Sequence, residues 1–245
     1  MKTDVHALTS LLNTYLKIGD FPNDTSINGL QVHALDSVNR VALAVDASMD
    51  VFQRVKKQEC DMVLVHHGMY WKGVDPLIVG PTSRRVRFLL ENKINLYAAH
   101  LPLDAHPHVG NNVEIIRALG FQPKKLVDGI RWQCHPKKSI DDVIQRVNEK
   151  IGSPIHQLKF GEEFVDNLIV SSGGSTDVVF TAPEGSTVLI GELSHYGYHY
   201  AKERRLNVIA AGHYATERFG VIALGKMLDK KFKTSSIFID VPTNI

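Results

Sequence analysis

Three observations predict an α/β fold with largely parallel sheets. Strand-like and helix-like segments alternate along most of the 245 residues. The strand segments are near-continuous apolar runs, the pattern of strands covered on both faces by helices. Several of these runs end in His, carboxylate or Gly clusters, where open parallel sheets place their ligands.

In order, MKTDVHALTSLLNTYLK spaces Leu8, Leu11, Leu12, Tyr15 and Leu16 at helical period. It reads as an amphipathic first helix and not as a signal peptide. NDTSINGLQV (Asn23–Val32) is a polar loop with an Asn-Gly pair. RVALAVDAS is a strand, and Asp46 or Ser48 caps the helix MDVFQRVKKQEC. DMVLVHHG and INLYAAH are strands on either side of the helical SRRVRFLLENK. GNNVEIIRALG is a helix closed by Gly120. SIDDVIQRVNEKIG is a helix with Ser139 as N-cap and Asp141 and Asp142 in its first turn. VDNLIVSSGGS and STVLIGELSHYG are strands running into loops, YHYAKERRL is helical, and NVIAAGHYATERFGVIALGKML is strand, loop and helix. SSIFIDVP is the last strand. The likeness of DMVLVHHG to STVLIGELSH hints at two similar halves without amounting to a repeat. Two domains are expected, 1–125 with the HHG and HLPLD motifs and 126–245 with GELSH and GHYATE.

Composition narrows the class. A 44% hydrophobic, 22% charged chain can bury a core as a soluble globular protein. The 28 basic and 26 acidic residues balance to +2, too even for a nucleic-acid surface. The basic clusters SRRVR, DKKFK and two PKK runs are short, as solvated faces are. No apolar run reaches the ~18 residues of a membrane span. Cys60 and Cys134 stand outside any CxxC, which argues against a disulfide framework and a cysteine zinc site and for a reducing cytoplasm.

Histidine is the unusual component, with twelve in the chain. His213 and Glu217 are four apart, on one face if they open the last helix. That spacing serves a surface ion pair, or a metal bound by both or bridged by the carboxylate. Asp104 follows a strand in a loop stiffened by Pro102 and Pro107, as a turn residue or as a ligand. His100 reads as a strand-end residue supporting the site, and His106 and His108 as surface loop residues. Successive strand residues face opposite ways, so one of His66 and His67 can be a buried, hydrogen-bonded core residue. At a strand end both rings can instead face one cleft, with Gly68 turning the backbone away. Together the three imidazoles and two carboxylates suffice for two divalent ions about 3.5–4 Å apart. They suit Zn, Fe, Mn, Co or Ni without selecting among them. Such a pair activates a water and polarises a carbonyl, phosphoryl or ring carbon.

Around them, Glu192 and His195 stand at another strand end, with His195 the candidate general acid or base or a hydrogen-bonding residue. Glu217 is the other catalytic candidate. Tyr70, Trp71 and Lys72 line a cavity or pack against a neighbouring subunit. Asn28 reaches the same cleft or bonds its own loop. SSGGS is a phosphate cradle or a tight strand-to-helix turn.

INGLQV, VHHGMYWKG, INLYAAHLPLDAHPHVGNN, GELSHY and AAGHYATERFGV, in this order, resemble the YbgI-type proteins of the Nif-three-like family, also labelled GTP cyclohydrolase I type 2. The resemblance spans essentially the whole chain; 125–185 is its least similar part. It implies a dinuclear metal centre held by His66, His67, Asp104, His213 and Glu217, two interlocked α/β domains, and a toroidal homohexamer with metal sites facing an internal cavity. The expected function is metal-dependent hydrolysis through an activated water, on a nucleotide, cyclic amide or phosphoester. The alternative is a non-catalytic metal-binding, metal-delivery or scaffold protein.

Overall fold

The computed structural model describes residues 3–152, 156–232 and 234–245. Met1 and Lys2 of the expected first helix, and Lys233 of the last basic cluster, lie outside the described residues. The sheet strands are β1 (Gly29–Val32), β2 (Arg40–Asp46), β3 (Met62–His67), β4 (Asn95–Ala98), β5 (Lys125–Val127) and β6 (Arg131–Cys134). They continue with β7 (His156–Lys159), β8 (Leu168–Ser171), β9 (Thr187–Ile190), β10 (Asn207–Ala210) and β11 (Ser235–Phe238). The helices are α1 (Val5–Tyr15), α2 (Met49–Lys57), α3 (Gly80–Glu91), the single turn α4 (Leu101–Ala105) and α5 (Asn111–Ala118). Then come α6 (Ile140–Lys150), the short α7 (Val178–Thr181), α8 (Gly197–Glu203) and α9 (His213–Phe232).

The chain divides into two compact units, Met1–Leu103 with Val221–Val241 and Asp104–Gly220 with Pro242–Ile245. The expected halves, 1–125 and 126–245, part at a single point. Here the chain returns to the first unit because β11 pairs with β2.

The first unit holds a sheet ordered β11-β2-β3-β4-β1. Its first three pairings are parallel, and β1 runs antiparallel to β4. Strand β3 shows why the apolar run is continuous: Met62, Val63, Leu64 and Val65 are all fully buried. Each such side chain contributes about 1.5–3 kcal/mol of transfer free energy. Val63 and Val65 share a core with Ala42, Ala44, Phe52 and Leu96. Helix α2 is capped by Ser48, whose hydroxyl accepts from Val51 N at 3.2 Å. Asp46, the other capping candidate, serves a different purpose, described below.

The second unit holds a sheet ordered β7-β10-β9-β8-β6-β5. Only its inner trio β10-β9-β8 is parallel, and the other three pairings are antiparallel. The first sheet is thus parallel except at its β1 edge, whereas the second, expected to be largely parallel, is mixed. The antiparallel strands β1, β5, β6 and β7 are short and carry partly exposed positions, so the apolar-run criterion passes over them. Helix α6 is capped as expected by Ser139, which accepts from Asp142 N at 3.1 Å. Its Ile140, Val143, Ile144 and Val147 cover one face of the sheet beside Leu168, Val170 and Leu189. Val178, Val179, Ala201 and Leu206 cover the other, around Ile169, Val188 and Val208.

Candidate metal centre

In each unit the chemistry stands at the carboxyl ends of three adjacent parallel strands. In the first these are β2, β3 and β4, which end at Asp46, at His66–His67 and just before His100. The rings of His66 and His67 lie 4.8 Å apart between centroids, and His100 lies 5.0 Å from the first and 5.6 Å from the second. Both strand-end histidines thus face one place. One potential ligand atom on each ring lies within 4.8 Å of the others.

Every ring is held through Nδ1. His66, fully buried, bonds Ala99 O at 2.9 Å. His67 bonds Asp46 Oδ1 at 2.8 Å, and His100 bonds Asp24 Oδ1 at 2.8 Å. Carbonyl and carboxylate oxygens only accept, so Nδ1 donates in each pair. The neutral rings then carry their lone pairs on Nε2, the tautomer that binds metals. Oxygen acceptors behind the imidazoles are the usual outer support of metal-ligating histidines.

Asp24 is itself elaborately held. It is buried and accepts from Ser26 N, Asn28 Nδ2 and Leu101 N at 3.0, 2.8 and 3.1 Å, besides His100. Burial pushes its carboxyl up, but hydrogen bonds from His100 and Asn28, the pull of the His100 ring and Ser26 N outweigh it and hold the value below that of an ordinary aspartate. Asn28 also accepts from His100 N at 2.7 Å, so it reaches the site as well as its own loop. Trp71 leans on the group, 5.1 Å from His100 and 5.9 Å from His67, with its indole N–H on Gly68 O. Lys72 is turned to Pro22 O. Gly68 leaves room for Gln31: a Cβ there would stand 2.3 Å from the Gln31 amide nitrogen, and that side chain would have to move. Gln31 in turn accepts from Met69 N at 2.7 Å.

In the second unit the three strands are β8, β9 and β10, followed by the SSGGS turn, Glu192 and His213. His213 opens α9, as its spacing to Glu217 anticipated. His213 Nε2 lies 3.1 Å from Glu217 Oε2, and Nδ1 lies 3.3 Å from Glu192 Oε1. Glu217 is only 3% exposed, so this is not the surface ion pair its spacing also allowed. Gly173 makes room for it: φ is +67°, and a Cβ would stand 2.1 Å from Glu217 Oε1.

The SSGGS segment is a tight turn. Ser172 N donates to Asn112 Oδ1, Gly173 N to Thr216 Oγ1 and Ser175 N to Gly173 O. Amides so engaged do not cradle a phosphate. Asp104 lies in α4, buried, and accepts at Oδ1 from Asn111 Nδ2 and Ser172 Oγ, both at 2.8 Å. His195 is exposed in the turn before α8, where its carbonyl accepts from Tyr198 N. Among the described residues Glu192 reaches the His213 ring in its place. His106, expected on the surface, is buried and accepts from His108 N and Val109 N.

The donor set fits divalent metal. Among the described residues two His/Glu groups have ligand atoms close enough to coordinate an ion, one made of His66, His67 and His100 and one that includes His213 and Glu217. Sequence reasoning missed Asp24 and Asp46 as supports, and His100 as a member of the imidazole group.

The chain matches the family model described as Duf34/NIF3 (NGG1p interacting factor 3) over residues 3–245. It is 39% identical to a GTP cyclohydrolase 1 type 2 homolog of Pyrococcus abyssi over 97% of this chain and 98% of that one. The crystal structure of TTHA1606 from Thermus thermophilus superposes with a TM-score of 0.94 at 39% identity, covering 99% of this chain and 100% of that one. The structure of the protein ybgI superposes with a TM-score of 0.93 at 31% identity, with the same coverage. With the motifs and both ligand groups in place, the chain belongs to the Duf34/NIF3 family, as a YbgI-type member of the group labelled GTP cyclohydrolase 1 type 2.

Proposed function

We propose that this protein is a hydrolase-like enzyme in which His66, His67, Asp104, His213 and Glu217 hold two divalent ions. One observation carries the reading: imidazoles at adjacent strand ends are each fixed through Nδ1 to an acceptor, the arrangement of ligands and not of core histidines. When bound, the ions would supply Lewis acidity and a water acidified toward neutral pH. Glu217, buried beside His213, receives and returns the proton of the attacking water. Glu192 holds the His213 ring in orientation, and His195, on the exposed turn beyond it, delivers a proton to the leaving group. Trp71 supplies a flat apolar wall for a planar substrate. The substrate class is a nucleotide, cyclic amide or phosphoester; the GTP cyclohydrolase 1 type 2 label of the relatives favours a GTP-like purine.

Two further parts belong to the same reading. Copies of the chain form a toroidal homohexamer, supported by the exposed apolar side chains Val74, Leu77, Ile78 and Val79 in the first unit and Phe180 and Tyr196 in the second. The compartment is the cytoplasm, supported by two free, buried thiols. No helix of the described residues is long and apolar enough to cross a membrane.

Metal analysis of reconstituted protein comes first: about two ions per chain are expected, with loss in His66→Ala and Glu217→Ala. Turnover follows, on nucleotide, cyclic amide and phosphoester panels. Rates no higher than those of Glu217→Ala would leave metal binding without catalysis. Size by light scattering tests the hexamer.

A further inference from the structure

We propose that strand β11 is a docking edge for an extended acidic peptide, which adds to the first sheet as a further strand and sets its carboxylates against Arg54 and Lys57 of α2. The site lies within the first unit and shares no residue with the metal-binding groups.

Four strands form the edges of the two sheets, β1 and β11 in the first and β5 and β7 in the second. An open edge invites pairing by another chain, and folds guard it with charge, proline or a bulge. β5 carries Lys125 and β7 carries Lys159. β1 has a register shift between Leu30 and Val32. β11, Ser-Ser-Ile-Phe, has no charged residue and no proline, and runs in unbroken register with β2. Ser235 N bonds Asn39 O at 3.0 Å, and Ile239 N bonds Leu43 O at 2.8 Å. In a parallel ladder alternate residues turn their backbone groups to the same neighbour, so Ser235, Ile237 and Ile239 face β2. Ser236 and Phe238 turn theirs the other way, where no strand pairs among the described residues. Arg54 closes that row at its end, donating from Nη1 to Asp240 O at 2.8 Å.

Charge names the occupant. Between α2 and the open edge is a cavity of about 270 Å³, lined by Arg54, Lys57 and Gln58 and by Ile237 to Asp240. Asp240 is the one carboxylate of that lining. The last turn of α2 is basic, with Arg54, Lys56 and Lys57, and the last turn of α9, which leads into β11, carries Lys230 and Lys231. Side chains of an added strand alternate between the two faces of the sheet. Ile237 and Ile239 pack on the α2 face, with Phe52 and Val55. Every second side chain of the incoming peptide therefore comes beside Arg54 and Lys57, where Asp or Glu fits. The others come beside the half-buried Phe238, where an apolar residue fits. Backbone bonds to Ser236 and Phe238 supply the affinity, and the alternating side chains select the sequence.

Fluorescence anisotropy tests this. Full-length protein is titrated with a fluorescein-labelled hexapeptide of alternating Glu and Val. Saturable binding is expected, weaker as salt rises, and absent for the hexapeptide of alternating Lys and Val. Two further peptides are N-methylated, one at its Val amides and one at its Glu amides. Only one set of amides faces β11, so one of the two should bind about 10-fold more weakly than the parent. Lys57→Glu should weaken binding about 3–10-fold. Phe238→Pro should weaken it about 10-fold, because proline removes an N–H that the ladder with β2 does not use. Circular dichroism checks folding. If Phe238→Pro does not fold, the methylated peptides on the wild type decide. The proposal is overturned if the Glu peptide shows no saturable binding, if the Lys peptide binds as well, or if neither methylated peptide is weakened. It is also overturned if folded Phe238→Pro or Lys57→Glu changes the particle size in light scattering, since the edge then joins copies of this chain.

Discussion

In the first unit, oxygen acceptors orient imidazoles. Ala99 O, Asp46 and Asp24 each take an Nδ1 proton, and all three rings follow parallel strand ends. In the second unit, donors and empty space orient carboxylates. Asn111 and Ser172 both give to Asp104, while Gly173 leaves the volume that Glu217 occupies. The difference follows from the donors themselves. An imidazole is prepared for metal by settling which nitrogen holds the proton, so it needs one well-placed acceptor. A carboxylate has no tautomer to settle. It needs enough donors to be buried, and a backbone that stays out of its way.

The contrast breaks first at Gly173. Gly173→Ala introduces a Cβ 2.1 Å from Glu217 Oε1 at a φ of +67°. The strained backbone and the overlap together cost roughly 3 kcal/mol. A fall in Tm of roughly 6–12 °C is expected. Displacing Glu217 from His213 should lower the metal stoichiometry of the reconstituted protein.

The next largest effect compares the two supporting aspartates. Asp24 is buried and multiply bonded, whereas the Asp46 side chain is 36% exposed. Asp24→Asn should cost roughly 2 kcal/mol, from weakened charge-assisted bonds, and Asp46→Asn less than about 1 kcal/mol. The pH dependence carries the sign. Because the folded value of Asp24 is depressed, its stabilisation is full above the ordinary aspartate value and is lost as pH falls through the folded one. The gap between wild type and Asp24→Asn in urea unfolding should stay level down to about pH 5 and narrow below about pH 4. A gap that widens in acid contradicts the assignment. Smaller still is Ser172→Ala, which removes one of two donors to Asp104 for about 1 kcal/mol. Asn111→Ala should exceed it, since that side chain also accepts from Gly220 N.

Much of this was legible in the chain because apolar runs and caps are local signals. The strand ends bearing HHG, GEL and GH, the Ser48 and Ser139 caps and the His213 start of α9 all follow from residues within a few positions of each other. What sequence reasoning missed depends on distant partners. Asp24 and His100 are 76 residues apart, and Asp46 and His67 are 21 apart. Nothing near Asp24 distinguishes it from a turn residue. Gly68 reads as the residue that turns the backbone away and Gly173 as part of a cradle or tight turn, yet what packs into the space beside them, Gln31 and Glu217, is distant in sequence. The antiparallel edge strands β5 and β7 escaped because an exposed edge needs no apolar run.

The finest test of the comparison uses one thiol per unit. Cys60 lies in the first and Cys134 in the second, both buried. Burial pushes the Cys60 thiol up to about 11 and the Cys134 thiol up to about 12, with Arg40 and Asp61 acting in opposite directions at Cys60. Both are therefore protonated in the fold at about pH 8, where only the thiolate reacts. Labelling with a thiol reagent then reports opening of the surrounding structure. In the wild type both should label slowly, with Cys60, 5% exposed, ahead of Cys134, 0% exposed. In Gly173→Ala the rate at Cys134 should rise while that at Cys60 stays near its wild-type value. Equal acceleration at both would mean that the units open as one, and that the donors of one group are not maintained independently of the other. Selective acceleration would locate the strain of Gly173 in the sheet that carries Glu217's support, leaving the imidazole group standing.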